Sequence, residues 1–101
     1  MDPICVIGDA QTVNAFRIAG VKGIPSLPGY AATMLEEVLS EGNASLILIT
    51  RECASGIERR IKDINFESPE VTVIKINGID DEGGFGVSLM AFITEALGVA
   101  L

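Results

Sequence analysis

The chain has 101 residues, 49% of them hydrophobic, which predicts one compact domain with at most a short appendage and excludes a disordered chain. Fourteen acids against seven bases leave a net charge of -7, which repels a phosphate backbone and argues against nucleic acid as a partner. There is no histidine, so Ser-His-Asp and Cys-His nucleophilic pairs, histidine metal sites and phosphohistidine relays are out of reach.

The opening "MDPICVIGD" has no basic segment before its apolar run and does not read as a secretory signal. Nowhere does an apolar run approach the ~20 residues that cross a bilayer, so no direct membrane insertion is expected. "ICVIG" predicts the first strand. A helix over Thr12 to Ala19 follows and is closed by Gly20, a residue free to take the left-handed conformation. "GIPSL" predicts a short second strand, and Tyr30 to Glu41 a second helix closed by Gly42. "SLILIT" predicts the third strand. From Glu52 to Ile64 a third helix carries Ile57, Ile61 and Ile64 as one buried stripe and runs toward Pro69. On its wet face the spacings Glu58 to Lys62 and Arg59 to Asp63 suit ion pairs between neighbouring turns, and they absorb the cluster Arg59, Arg60 and Lys62. "VTVIKI" predicts the fourth strand.

Unbroken β-branched runs alternating with helices indicate strands covered on both faces. The expected fold is therefore α/β: a small four-stranded parallel sheet flanked by helices over residues 1–78, with a receiver-like, Rossmann-like topology. Cys5 lies in an apolar run and Cys53 near a helix start, without Cys-x-x-Cys spacing, which fits reduced cytosolic thiols rather than a zinc site or a disulfide framework. Residues 79–101 differ in kind. "GGFG", Gly83 to Gly86, reads as a flexible hinge. Behind it Val87, Leu89, Met90, Phe92, Ile93 and Leu97 spread around most of a helical wheel. A helix with so little wet face suits a groove on a partner better than its own domain, and such a helix can self-associate in isolation.

Candidate sites meet simpler readings. Asp9 follows the first strand, where open α/β sheets place ligands, but the residue type and position also suit a cap on the next helix, and that structural role is expected. A phosphoacceptor aspartate would stand at the end of the third strand, where this chain has Thr50, expected as a second helix-start cap. Thr50 and Ser55 have no general base beside them. Asp80, Asp81 and Glu82 precede the glycines and would repel a phosphate there, and they lack calcium-loop spacing. No catalytic residue, cofactor or metal is expected. A receiver-like signalling module and a small nucleotide- or flavin-binding domain stand as the alternative functions.

"VIGDAQTVNAFRIAGVKG" resembles the opening signature of the F subunits of the archaeal and vacuolar-type rotary ATPases, a strand ending in Gly-Asp before a Phe-Arg-(Leu/Ile)-Ala-Gly helix end. "LILITRECA", Leu46 to Ala54, is similar to that family's second block, and with the closing "ALGV" the likeness covers essentially the whole chain. Ala15 stands where relatives place glycine, and "NGIDDEGGFG" where they tend to Ile-Pro and a charged loop. The resemblance implies a non-catalytic rotor component of an ATP synthase or ion pump, cytoplasmic and peripheral to the cell membrane, whose tail lies along the coiled-coil shaft, the D subunit. It implies structural roles for Phe16 and Gly20, a surface ion pair or a rotor contact for Arg17, and shaft contacts for Phe85, Val87, Leu89, Met90, Phe92, Ile93 and Leu97.

Overall fold

The four apolar runs form strands β1 (Ile4–Gly8), β2 (Lys22–Pro25), β3 (Leu46–Thr50) and β4 (Thr72–Ile76) in a computed structural model that describes residues 3–78. All three pairings are parallel and the strand order is β2-β1-β3-β4, with Cys5 beside both Lys22 and Ile47 and Leu48 beside Ile74. Parallel neighbours need long crossovers. Helices α1 (Ala10–Ile18), α2 (Ala31–Glu41), α3 (Arg51–Ala54) and α4 (Glu58–Glu67) lie in those crossovers. The α/β class, the four-stranded parallel sheet and its flanking helices are as the sequence predicts. The expected hinge and tail lie outside the described residues.

The pleat divides the apolar runs between two layers. Cys5, Ile7, Ile47, Ile49 and Val73 pack against Leu35 and Val38 of α2, Cys53 of α3 and Ile61 and Ile64 of α4. Ile4, Val6, Leu48 and Ile76 belong to a second cluster with Val13 and Phe16 of α1 and with Val21. Burial on both faces explains why β1 reads as a continuous apolar run: all five of its residues are buried. At ~1.5–3 kcal/mol for each fully buried aliphatic side chain, this two-sided sheet is the main source of stability.

Gly20 closes α1 as read from the sequence, and the geometry shows how. Its φ of 89° lies in the left-handed region. From there its N–H reaches the carbonyl of Arg17, and the N–H of Val21 reaches that of Phe16, each at 3.0 Å. These two bonds satisfy carbonyls the helix end would leave orphaned, and the accompanying contact joins Val21 to Phe16 within one cluster. Gly42 closes α2 in the same conformation, at φ 68°.

Several boundaries differ from the sequence reading. The third helix, expected as one piece from Glu52 to Ile64, is two: α3 ends at Ala54 and α4 starts at Glu58. Between them stand Ser55 and Gly56, weak helix formers, and the Ser55 hydroxyl bonds back to the carbonyl of Glu52 at 2.9 Å. α4 then continues to Glu67 and stops at Ser68, whose extended backbone is what a following proline imposes. β2 begins one residue early and ends at Pro25, which an edge strand tolerates.

The charges of α4 also pair differently from the expected turn-to-turn scheme. Glu58 reaches Lys75 of β4 at 2.9 Å, and Arg60 holds Glu36 of α2 by two bonds of 2.7 and 3.0 Å. Tertiary packing brings these partners closer than helical spacing does. The bonds from Arg60 hold the Glu36 carboxyl below its ordinary range, although both side chains are about half exposed and such a pair adds little stability. Asn65 has a more specific task. Its amide donates to the carbonyl of Val73 at 2.9 Å and its oxygen accepts from the Val73 N–H at 2.7 Å, so one side chain occupies both outward groups of an edge-strand residue. Among the described residues no helix is long and apolar enough to cross a membrane.

Candidate functional site

An open parallel sheet offers ligands the space beyond the carboxyl ends of its strands, where successive crossovers leave on opposite faces. That divergence occurs here at β1, because α1 packs on one face and α2 on the other. A groove of about 320 Å³ lies there, between the start of α1, the loop after β2 and the start of α3. Its lining includes Asp9, Thr50, Glu52 and Cys53.

Most of these groups are already engaged or shielded. One carboxylate oxygen of Asp9 accepts from the backbone N–H of Thr12 at 3.1 Å and the other from its hydroxyl at 2.6 Å, so Asp9 caps α1. Burial pushes its acidity down, but the Thr12 hydroxyl and the backbone amides outweigh it and hold the Asp9 carboxyl below its ordinary value. Thr50 occupies the cap position of α3, yet its side chain makes no capping bond; it is 2% exposed, with its methyl turned against Gly8. Burial raises the Cys53 thiol, which lies 3.6 Å from the carbonyl of Ser26, so it stays protonated at neutral pH and is a poor nucleophile. Cys5 is likewise buried, free and raised. Among the described residues no three cysteines or acids come together as a metal site would require.

A depressed carboxyl in the folded state stabilises the fold at pH values above the unfolded group's, near 3.9, and loses that contribution as pH falls through the folded value. Asp9→Ala therefore costs about 1 kcal/mol at pH 7, the usual worth of a helix cap. Urea midpoints of the two proteins should converge as pH falls from about 5 toward 2. A gap of constant size across that range would show that the charge of Asp9 does not matter.

The other residues singled out in the sequence lie away from this groove. Phe16 is 1% exposed in the α1 cluster, and Gly20 ends that helix. Of the two roles implied for Arg17, the described residues show no ion pair: its guanidinium donates to the carbonyl of Gly23 at 2.8 Å, and among the described residues it joins no salt bridge. The reason is proximity, since α1 packs directly on β2 at Gly23, where a Cβ would come within 2.5 Å of Val13. Phe85, Val87, Leu89, Met90, Phe92, Ile93 and Leu97 lie outside the described residues. Sequence reasoning misses the loop Ser26 to Tyr30, whose Leu27 and Tyr30 are 67% and 61% exposed. Two prolines flanking an isolated leucine are its only signal. A second cavity, of about 480 Å³, opens at the amino ends of the strands, lined by the Lys22–Glu41 pair and the buried Cys5 thiol.

Comparison with known proteins bears directly on these residues. The sequence family described as "ATP synthase (F/14-kDa) subunit" matches residues 4–92. The chain is 30% identical to the F subunit of the A-type ATP synthase of Methanocorpusculum labreanum, over 97% of this chain and 96% of that one. It is 35% identical to the F subunit of the V-type ATP synthase of Fusobacterium nucleatum, over 76% and 74%, and 26% identical to the A-type F subunit of Methanosarcina mazei, over 97% and 96%. A match that takes in all four strands and every described helix is a match to the whole domain, and the chain belongs to the F subunits of the A-type and V-type ATP synthases.

Proposed function

We propose that this protein is a non-catalytic part of the central stalk, turning with the coiled-coil shaft, the D subunit, and helping to couple ATP synthesis or hydrolysis to transport of protons or sodium ions. It would then lie on the cytoplasmic side, held at the membrane only through the complex. The observation that carries this reading is the family match, which runs to residue 92 and so takes in Val87, Leu89, Met90 and Phe92. The strand-end groove supports it from the other side. Its one aspartate caps a helix and a threonine holds the position of a phosphoacceptor, which favours a scaffold over a signalling receiver.

Co-expression with the D subunit should give a pair that survives size-exclusion chromatography. Deleting the residues after Gly84 should weaken that pair at least a hundredfold, because the loss of even two buried aliphatic contacts at ~1.5–3 kcal/mol each is worth that much. The truncated chain should remain folded, with a cooperative thermal melt. A full-length chain that fails to bind would overturn the stalk reading, and a truncated chain that binds as tightly as the full one would overturn the tail assignment alone.

A further inference from the structure

The loop after β2 combines features that neither the cap of α1 nor the expected tail contact explains. Among the described residues four large apolar side chains are exposed, and two of them, Leu27 and Tyr30, stand within one short loop. The other two, Ile18 and Phe66, are on separate helices. Pro25, Leu27 and Pro28 form an apolar wall of the 320 Å³ groove, while Asp9 and Glu52 supply its charge, and none of its lining residues is basic. The nearest base in sequence, Arg51, is turned to Asn77 beyond β4 at 2.9 Å.

The wall is also held in place. The Ser26 N–H donates to the carbonyl of Gly8 at 2.8 Å, its hydroxyl to the carbonyl of Leu27 at 2.8 Å, and the N–H of Tyr30 to that same carbonyl at 3.0 Å. With two prolines restricting the backbone, little ordering remains to be done when something binds. The carboxylates select against a phosphate or another anion. A small cation alone would leave the apolar wall of Pro25, Leu27 and Pro28 uncovered.

The geometry points to this groove as a docking site for another polypeptide of the ATP synthase, through a segment that inserts an aliphatic side chain beside Leu27 and Pro28 and places a Lys or Arg against Asp9 and Glu52. An aliphatic side chain covers the apolar wall of the groove, and a basic neighbour meets two carboxylates that no base lining the groove offsets. The inference rests on the stalk assembly proposed above but is independent of the tail contact, since every residue it uses lies between Asp9 and Glu52.

The test uses the assembled complex, purified through a different component. The photo-crosslinker p-benzoylphenylalanine is placed at Leu27 in one sample and at Phe66, an exposed position on α4 outside the groove, in another. Leu27 should cross-link to another polypeptide of the complex at a site with Lys or Arg within about four residues, at a yield at least tenfold above that from Phe66. Glu52→Lys should lower the amount of this chain in the complex at least fivefold, and Glu52→Gln should make its retention less sensitive to salt. No cross-link from Leu27 in a complex that contains the chain, or a cross-link only to a second copy of it, would overturn the docking site while leaving the stalk reading intact. Absence of the wild-type chain from the complex would overturn both.

Discussion

Phe16→Ala is expected to cost about 3–5 kcal/mol. Phe16 is 1% exposed and is the largest fully buried side chain among the described residues. It sits in the α1 layer with Ile4, Val6, Val13, Val21, Leu48 and Ile76, and its own carbonyl receives the N–H of Val21 where the chain leaves the helix. Removing the ring therefore opens a cavity between α1 and the sheet and also takes away the apolar contact that accompanies the glycine cap. Against a total stability of roughly 5–15 kcal/mol for a domain of this size, that is a large share, and thermal melts should fall by about 15–30 °C. Two residues away, Ile18 is 89% exposed, and Ile18→Ala should stay within about 0.5 kcal/mol. The pair makes the test sharp, because both substitutions remove a large apolar side chain from the same helix. Equal losses from the two would mean that the α1 layer is not packed as described.

Much of this can be read from the residues because the signals are local. An unbroken "ICVIG" or "LILIT" is what a strand buried on both faces must look like, and Gly20 and Asp9 mark the two ends of α1 through interactions that span three or four residues. What escapes is non-local or weakly encoded. The break at Ser55 and Gly56 is worth only about a kilocalorie in helix propensity, too little to override an isoleucine stripe when read from sequence alone. Arg17 reads as a surface ion pair or a rotor contact because nothing in "AFRIAG" announces that Gly23 lets β2 approach α1 closely enough to offer it a carbonyl. The charges of α4 satisfy helical spacing on paper, yet their partners Glu36 and Lys75 belong to other elements and are set by topology. Leu27 gives no warning for a related reason: an exposed apolar residue leaves no periodic pattern, and only coordinates show that it lines a groove.

The second large effect tests how β1 and β3 close together at the carboxyl end of the sheet. Ile7 pairs with Ile49, so Gly8 and Thr50 follow side by side at the point where both strands give way to helices. A Cβ added at Gly8 would come within 2.5 Å of the Thr50 Cγ2 and 3.2 Å of its Oγ1. Gly8 does not have a positive φ, so alanine there meets no backbone strain, and by conformational entropy alone it would stabilise by about 0.4–1 kcal/mol. The steric term outweighs that gain. Gly8→Ala should destabilise by about 1–3 kcal/mol in urea titrations, because Thr50 is buried and its backbone fixes the start of α3, leaving it no room to retreat. Thr50→Ser removes the offending methyl and keeps the hydroxyl, at a cost near that of one buried carbon, about 0.8 kcal/mol. Combined, the two should cost less than the sum of the separate changes by about 0.5–3 kcal/mol. Gly56→Ala, with no atom within 4 Å of the added carbon, controls for the entropy term. Strict additivity in this cycle, or a stabilised Gly8→Ala protein, would mean that the strand ends are splayed rather than in contact. Asp9, the residue after Gly8, and Glu52, two after Thr50, would then stand farther apart than the docking groove requires.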